Sequence, residues 1–527
     1  MSSFRGTLYP YQQVAHDMIV EQGRALLGFE MGLGKTPTAL AAMESLMDKG
    51  EIIEPGLVFT LSSLKYQWKK SVEQFTHSKA LVIDGTPAQR AAQYEMARNW
   101  DTEGIDYVIL NYEALRNDFD QISDLPRGFL ILDESTAVKT ITSKTHKAMH
   151  ALSKGVDIRV GLTGTPMTNG KPDEIFNQLR VIHPSLLGPY QRFHARYVIK
   201  NQFGWITGYK NLGELHEKLK GVMISKKQAD PDVAPYLPET IYRDPILVPL
   251  DRASAAVYNR IQKDLLADLD EAAVLMRDMP LNLYGGGLDG GGPLDEMRGL
   301  IASKVTALRM LCSHPDLLKH SAQQFSQLTG FGSQYIHELS EEGVLGKLKG
   351  SPKLDSLARY VSDFLELDED NKVVVFSVFV ETLPKIQEAL KRYGSVTYSG
   401  RLNAKEKEAA RLQFQSDPKT RIFISSDAGG FGVDLPQANL LVNYDLPWAS
   451  GTARQRNGRI QRASSEWEHV VIQNFLIEGS LEERQWEQLQ EKSRIESAVV
   501  DGAGIDSKGG VAMNVGTLRA FLRENSI

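Results

Sequence analysis

Gly28–Leu40 reads GFEMGLGKTPTAL, and its reading decides what kind of sheet the chain must build. It follows a short apolar run, Ala25–Leu27, and leads into a segment able to form a helix. Glycines at 32 and 34 let the backbone turn so that successive N–H groups point at a phosphate chain. The following helix offers its positive N-terminal end to the same charge. Gly32, Leu33 and Gly34 would then cradle phosphate, Lys35 would reach the β- and γ-phosphates, and the Thr36 hydroxyl would hold magnesium. The strict form of such a loop has glycine five residues before Gly34, where this chain has Phe29 with Gly28 beside it. The plain alternative is a glycine-rich strand-to-helix turn carrying a surface lysine.

The rest of the chain must say what a bound nucleotide drives. At 527 residues it is too long for one ordinary core, so two or more domains are expected. The composition, 42% hydrophobic and 24% charged, is that of a soluble globular protein. No apolar run approaches the ~18–20 residues of a membrane helix, and MSSFRGTLYPYQQ lacks the apolar core of a signal peptide. A single cysteine, Cys312, excludes internal disulfides and cysteine-rich metal sites. These features predict an intracellular protein with no membrane partner, placed in a bacterial or host-cell cytoplasm, with the nucleus as the alternative. The net charge of −6 means that any nucleic-acid binding must use a local basic cleft in a mildly acidic body.

Apolar strand candidates recur at Ala25–Phe29, Leu57–Leu61, Ala80–Ile83, Tyr107–Leu110, Phe129–Leu132 and Ile158–Leu162. Helical stretches separate most of them, which predicts a parallel sheet covered on both faces. A second set, Val373–Phe376, Val396–Tyr398, Ile422–Ser425, Leu440–Asn443 and Val470–Phe475, predicts another sheet of the same kind. From about Ser254 to Lys347 the texture turns helical, interrupted by YGGGLDGGGPLDE (Tyr284–Glu296), which reads as a flexible loop. The expected division is a first α/β lobe over 1–245, a helical insertion over 246–350, a second α/β lobe over 351–500 and a tail over 501–527. The tail loosens at DGAGIDSKGG and ends in an amphipathic VGTLRAFLREN expected to dock on the body.

FLILDESTAVKT places Asp133 and Glu134 at a strand's C-terminal end, where α/β sheets bind ligands. Asp133 could hold magnesium through water, and Glu134 could orient and deprotonate the water that hydrolyses a phosphoanhydride. GLTGTPMTN (Gly161–Asn169) makes a tight polar turn suited to sensing a γ-phosphate. Later, ARQRNGRIQR spaces Arg456, Arg459 and Arg462 every third residue, close to one face of a helix. A guanidinium presented from a second domain suits the charge of phosphoryl transfer. The plain alternatives are an exposed acidic turn and a solvated basic helix.

These segments, in this order, resemble the Swi/Snf-type ATPases of helicase superfamily two. LYPYQ (Leu8–Gln12) resembles the family's adenine-side motif, with Gln12 in the base-reading position. LVFTLSSLKYQWKKSVEQF resembles its first DNA-contact motif, with Ser62, Lys65 and Trp68 at matching places. LDESTAVK and GLTGTPMTN match the next two. LRMLCSHPDLL (Leu308–Leu318) resembles the signature specific to this branch. SPKLDSL, KVVVFSVF, AGGFGVDLPQA, NYDLPW and FLIEGSLEE follow in family order, so the resemblance spans about residues 8 to 490.

The resemblance implies two RecA-like lobes with a helical insertion, and ATP and Mg2+ as cofactors. It implies Lys35, Asp133, Glu134, Arg459 and Arg462 in catalysis, the last two as arginine fingers. It adds Asp434 beside the ribose, Gln455 and Arg456 coupling their helix to the first lobe, and Ser425, Ser426 and Gly429 beside a DNA backbone. His314 and Cys312 belong to the branch signature and read as structural. Three departures stand out. Thr136 replaces a histidine that many relatives carry, PWASG replaces the usual Trp-Asn-Pro, and QRNGRIQR resembles the arginine motif of DEAD-box RNA helicases as much as that of remodellers.

The expected function is a DNA-stimulated ATPase that translocates on duplex DNA, mainly by gripping phosphates. The alternatives are a strand-separating or branch-migrating helicase, and a non-catalytic ATP-gated clamp. The clamp predicts a damaged lysine, acidic pair or finger, and none is damaged here. A phosphate-loop kinase would not explain the second lobe. The absence of a recognisable accessory module suits a bacterial or phage protein.

Overall fold

The computed structural model describes residues 3–202, 206–276, 293–325, 332–427, 433–462, 464–502, 514–525 and 527. YGGGLDGGG, most of DGAGIDSKGG and the segment 428–432, which includes Gly429, lie outside them. The chain divides into two compact units. The first comprises Met1–Val198, Tyr209–Leu237 and Arg494–Ser507, and the second Ile199–Gly208, Pro238–Ser493 and Lys508–Ile527. Among the described residues no helix is long and apolar enough to cross a membrane.

In the first unit the apolar runs become β1 (Arg24–Phe29), β2 (Gly56–Thr60), β3 (Ala80–Val82), β4 (Tyr107–Asn111), β5 (Phe129–Asp133) and β6 (Ile158–Leu162). After a short pair, β7 (Val198–Lys200) and β8 (Ile206–Tyr209), comes β9 (Met223–Lys226). The sheet order is β3-β4-β2-β5-β6-β1-β9, parallel throughout. FLILD and GLVFT are buried at every position, as continuous apolar runs must be when helices cover both faces. Val58 pairs with Ile109 on one side and Ile131 on the other. This order makes β5, β6 and β1 consecutive, so the loops leaving their C-terminal ends are neighbours.

The second unit adds β10 (Glu239–Tyr242), β11 (Ile246–Val248), β12 (Val373–Ser377), β13 (Ser395–Tyr398), β14 (Ile422–Ser426), β15 (Leu440–Asn443) and β16 (His469–Ile477). Its order is β10-β16-β15-β12-β14-β13, with β11 also on β16 and every pair parallel. Both sheets are thus the parallel α/β kind that the sequence predicts. The sequence reading omits β7–β11. These strands are short: ETIY in β10 is mostly exposed, and the apolar run of β11 is only Ile246–Val248.

Helices Arg252–Met276, Pro293–Ser313, Asp316–Gln323 and Gln334–Glu341 occupy the region predicted to be helical. Their apolar faces do not form a separate core. Ile261, Leu265, Val305 and Leu308 belong to one cluster with Val373, Ile424 and Val442 of the sheet. The last helix, Val515–Glu524, docks within this unit. Gln262 Nε2 donates to the carbonyls of Leu522 at 2.6 Å and Asn525 at 2.5 Å, and Arg523 pairs with Asp270 at 2.8 Å.

Candidate active site

The glycine-rich loop leaves β1 and enters the helix Lys35–Asp48. Gly32 and Gly34 hold φ of 81° and 75°, a left-handed backbone that a side chain resists. Gly34 has a second reason to lack a side chain, since a Cβ there would stand 2.2 Å from Gln12 Nε2. Gln12 itself is buried and tied to the loop. Its Nε2 donates to the Leu33 carbonyl at 3.0 Å, and its Oε1 accepts the Tyr9 N–H at 2.9 Å. The Tyr11 hydroxyl donates to the same Leu33 carbonyl at 3.2 Å. Burial, chiefly, pushes that hydroxyl up to about 12, so it remains a donor.

Lys35 Nζ donates to the carbonyls of Phe29 at 2.8 Å and Glu30 at 3.3 Å, inside the curl of the loop. Phe29, where a strict loop has glycine, ends β1 and packs edge-on against Tyr11 with ring centroids 5.8 Å apart. Gly28 before it is closely packed. A Cβ there would lie 3.0 Å from both Met223 of β9 and Pro166. Thr36, half-buried, sits in the helix's first turn. A curled loop with two left-handed glycines, an inward lysine and a hydroxyl fits a triphosphate with its magnesium.

Asp133 ends β5 and is 7% exposed. Its Oδ2 accepts two bonds of 2.8 Å, from Thr60 Oγ1 and Trp68 Nε1. The Tyr112 hydroxyl donates to the Asp133 carbonyl at 2.8 Å. Burial, and then the nearby charges of Asp133 and Glu134, raise that hydroxyl well above its ordinary value. Glu134 follows with φ 48° and ψ 55°. Apart from Asn211 it is the described non-glycine residue at positive φ. Such a backbone costs roughly 1–3 kcal/mol and gathers at functional sites. Ser135 Oγ donates to Gln178 Oε1 at 2.7 Å, while Gln178 Nε2 donates to the Pro166 carbonyl at 2.8 Å. That bridge joins the acidic turn to GLTGTPMTN. In the latter, a Cβ on Gly164 would be 3.6 Å from Lys35 Nζ. Thr136 lies half-buried in the 3₁₀ turn Ser135–Val138.

Of the residues read as nucleic-acid contacts in this unit, Ser62 is exposed and its Oγ accepts from Asn111 Nδ2. Lys65 and Trp68 are not at the surface. Lys65 is 4% exposed, donating to the Ile83 carbonyl at 2.9 Å and Asp84 Oδ1 at 2.8 Å. Trp68 packs in the core with Ala39, Val58 and Ile131. Asp84 is held below the usual carboxylate range, first by Lys65.

In the second unit the helix carrying the arginines stops sooner than their spacing predicts. It spans Ser450–Asn457, so Arg456 lies in its last turn and Arg459 and Arg462 lie beyond it. Gly458 ends it, and the Arg459 carbonyl accepts the Leu435 N–H at 2.9 Å instead of continuing the helix. All three arginines are buried. Arg456 forms a fork on Asp427 (2.5 and 2.8 Å) and reaches the Asp445 carbonyl at 2.6 Å. It also lies over the Phe376 ring, 5.3 Å from the centroid. Arg459 donates to the Val433 carbonyl at 3.3 Å, and Arg462 Nε to Asp434 Oδ1 at 2.8 Å. Gln455 belongs to the same helix. Ser425 and Ser426 are buried in β14, where Ser425 Oγ donates to the Tyr398 carbonyl at 3.1 Å.

A further buried cluster gathers around Asp445, whose carbonyl Arg456 also reaches. Lys353 is fully buried, 2.7 Å from Glu482 Oε1 and 3.7 Å from Asp445 Oδ1. Ser313 Oγ donates to Asp445 Oδ2 at 3.2 Å. Cys312 is buried, with burial pushing its thiol well up. The sequence reading missed Thr60, Tyr112, Gln178, Asp427 and Asp445. Each is an ordinary polar residue whose partner is far along the chain, so no local spacing marks it.

The model of the SNF2-related domain matches residues 12–316, and that of the helicase conserved C-terminal domain matches 353–464. The DNA repair and recombination protein RAD54 of Saccharomyces cerevisiae is 25% identical over 513 residues, covering 90% of this chain and 53% of that protein. RAD54B of Mus musculus, with the same description, is 26% identical over 529 residues, covering 94% and 56%. The chain spans about half the length of the curated relatives it matches. Among solved structures, the helicase domain of Hef from Pyrococcus furiosus aligns with a TM-score of 0.51 at 16% identity, over 92% of this chain and 98% of that one. That likeness concerns the fold. The sequence match from Gln12 to Asp316 covers the phosphate loop, the acidic turn and the branch signature together, and it shows that the chain belongs to the SNF2-related family.

Proposed function

We propose that this protein is an ATP-dependent, DNA-stimulated motor that hydrolyses ATP to translocate on duplex DNA. The observation that carries the reading is the convergence at the ends of β1, β5 and β6. There the left-handed glycine loop with Lys35 lies beside Gly164, and Gln178 ties the Gly164 turn to the acidic turn that carries Asp133 and the strained Glu134. The loop N–H groups and Lys35 bind the phosphate chain, and Gln12 stiffens the loop from behind. Thr36 and Asp133 would hold a magnesium ion, which would supply charge neutralisation at the phosphates. Glu134 orients the attacking water and takes its proton, a role worth about 10²–10⁴ in rate. Arg459 and Arg462 supply positive charge to the transition state once Asp434 releases Arg462. Arg456 serves as a strut that holds the segment bearing them.

DNA as the polymer is supported by the repair and recombination descriptions of the relatives. The grip falls on phosphates, which makes it salt-sensitive and largely independent of sequence. Ser62 is the exposed contact in the first unit. The intact lysine, acidic pair and arginines argue against a non-catalytic clamp.

The test is steady-state ATP hydrolysis with no polymer, single-stranded DNA, duplex DNA and RNA at two salt concentrations, with Glu134→Gln as the blank. Stimulation by duplex DNA, weakened by salt and absent in the blank, is expected. Stimulation by RNA alone would move the protein to the RNA helicases. No hydrolysis with any polymer, despite ATP binding, would leave the clamp.

A further inference from the structure

Trp68 lies in KYQWKK, a basic stretch whose aromatic invites reading as a platform for a polymer. The structure puts it elsewhere. Its residue is 3% exposed, inside a core that includes Tyr11, Ala39, Val58 and Ile131. Its one polar atom, the indole Nε1–H, donates to Asp133 Oδ2 at 2.8 Å. Thr60 Oγ1 at the end of β2 donates to the same oxygen at 2.8 Å.

Two neutral donors from different elements therefore fix the plane of one carboxylate. An indole N–H can only donate, so it never competes with Asp133 for a cation. The helix bearing Trp68, Lys65–Phe75, is itself pinned at its first residue. Lys65 Nζ bonds the Ile83 carbonyl at 2.9 Å and Asp84 at 2.8 Å. The turn Ser62–Leu64 leads into it and begins with the exposed Ser62. One short segment thus carries a surface group at one end and a strut to Asp133 at the other.

We propose that Trp68 is a positioning residue that orients the Asp133 carboxylate for its cation, with Thr60 as its partner, and makes no contact with the polymer. Movement of the segment 62–68 would turn that carboxylate, which gives polymer at Ser62 a mechanical route to the phosphate site. The inference rests on the nucleotide reading above.

The experiment compares wild type, Trp68→Phe and Thr60→Val. Phe keeps an apolar ring in the core and removes the N–H, and Val keeps the branched shape of Thr60 without its hydroxyl. Calorimetric titration with ADP, with and without Mg2+, reads how much the ion tightens nucleotide binding. Anisotropy of a labelled duplex reads polymer affinity. Both variants are expected to lose at least fivefold of the Mg2+-dependent gain in ADP affinity. Affinity for ADP without the ion and for duplex should stay within twofold. A Trp68→Phe protein that keeps the full Mg2+ gain and loses duplex affinity would overturn the proposal and return Trp68 to the polymer. If Trp68→Phe does not fold, Thr60→Val decides alone, and an unchanged Mg2+ gain there overturns it too. A wild type that binds no ADP with or without Mg2+ would instead sink the nucleotide reading on which the inference rests.

Discussion

Glu134 in the first unit and Arg462 in the second meet opposite problems. The carboxylate is aimed by the main chain, through a left-handed backbone at the end of β5. Its neighbours Asp133 and Ser135 are clamped by Trp68, Thr60 and Gln178. The guanidinium follows a helix that has already ended, and it is held by a side chain, Asp434. Backbone aiming stores strain and gives a fixed direction. Side-chain clasping gives a charge that can change partners. The first suits groups that must wait in place for water and phosphate, and the second suits groups that engage only in one nucleotide state.

The three arginines offer the largest break to this contrast. Arg462→Ala is expected to lower kcat by about 10³-fold or more, with the second unit still folded. Arg456→Ala should act on stability, costing about 3–5 kcal/mol, because it strands Asp427 beside a hole in a buried network. Denaturant titration and steady-state kinetics of the two variants separate the roles. A stable but inactive Arg456→Ala protein would make Arg456 a finger and dissolve the distinction drawn here.

Next in size is the buried cluster of the second unit. Lys353 neutralises Glu482 and stands near Asp445, all within its core. Burial, chiefly, raises the Glu482 carboxyl above its ordinary value even with the lysine beside it. Lys353→Met is expected to cost about 3–5 kcal/mol by leaving carboxylates unpaired. Adding Glu482→Gln should restore part of that loss in urea unfolding. If the double variant is no better than the single one, the cost lies in packing and not in stranded charge.

His314 predicts a smaller and pH-dependent difference. It is 7% exposed, its Nδ1 accepts the Asp316 N–H at 3.1 Å, and burial, chiefly, holds the ring down to about 4. The unfolded ring titrates near its ordinary 6.5. Between those values the unfolded chain binds the proton and the folded one does not, so stability falls as pH drops through 6.5 toward 4. From pH 6.5 to 5 the loss is about 2 kcal/mol. His314→Gln should flatten the pH dependence of the second unit's unfolding over that window. An unchanged slope would show that other groups set it.

How far these features could be read in advance follows from where their signals lie. FLILD and VVVFS carry their burial in their own apolar runs, and each becomes a strand buried at every position. ETIY does not, since its pairing with β16 is the only thing that makes it a strand. The phosphate loop was legible because its glycines and Lys35 are adjacent in sequence. The arginine spacing suggested one helix face, whereas the helix stops at Gly458, between Arg456 and Arg459. Trp68 misled most, for its donor meets an oxygen that KYQWKK gives no hint of. Register between β2 and β5, which sets Thr60 beside Asp133, is a property of the sheet, and Trp68 reaches the same carboxylate from the helix Lys65–Phe75.

The smallest effect tests whether the two units can be addressed separately. Each carries a helix capped in the same way. Thr86 accepts from the Gln89 N–H ahead of Pro87–Arg98, and Gln89 Oε1 accepts the Thr86 N–H. Asn403 accepts from the Lys405 and Glu406 N–H groups ahead of Ala404–Ser416, and Glu406 Oε2 accepts the Asn403 N–H. Removing either cap leaves helix N–H groups without an internal acceptor, which typically costs about 1 kcal/mol. Pulsed hydrogen exchange read by peptide reports each unit on its own. Thr86→Ala should raise exchange in Pro87–Arg98 and its sheet neighbours, and Asn403→Ala in Ala404–Ser416. Asn403 accepts two N–H groups at 3.0 Å and Thr86 one at 3.4 Å, so Asn403→Ala should give the larger local response, and how far each response spreads beyond its helix measures how cooperative each unit is. A response to Thr86→Ala confined to one helix turn would mean that the first unit's edge frays without its centre. That outcome would place the rigidity of Glu134 in the β5–β6–β1 strands alone.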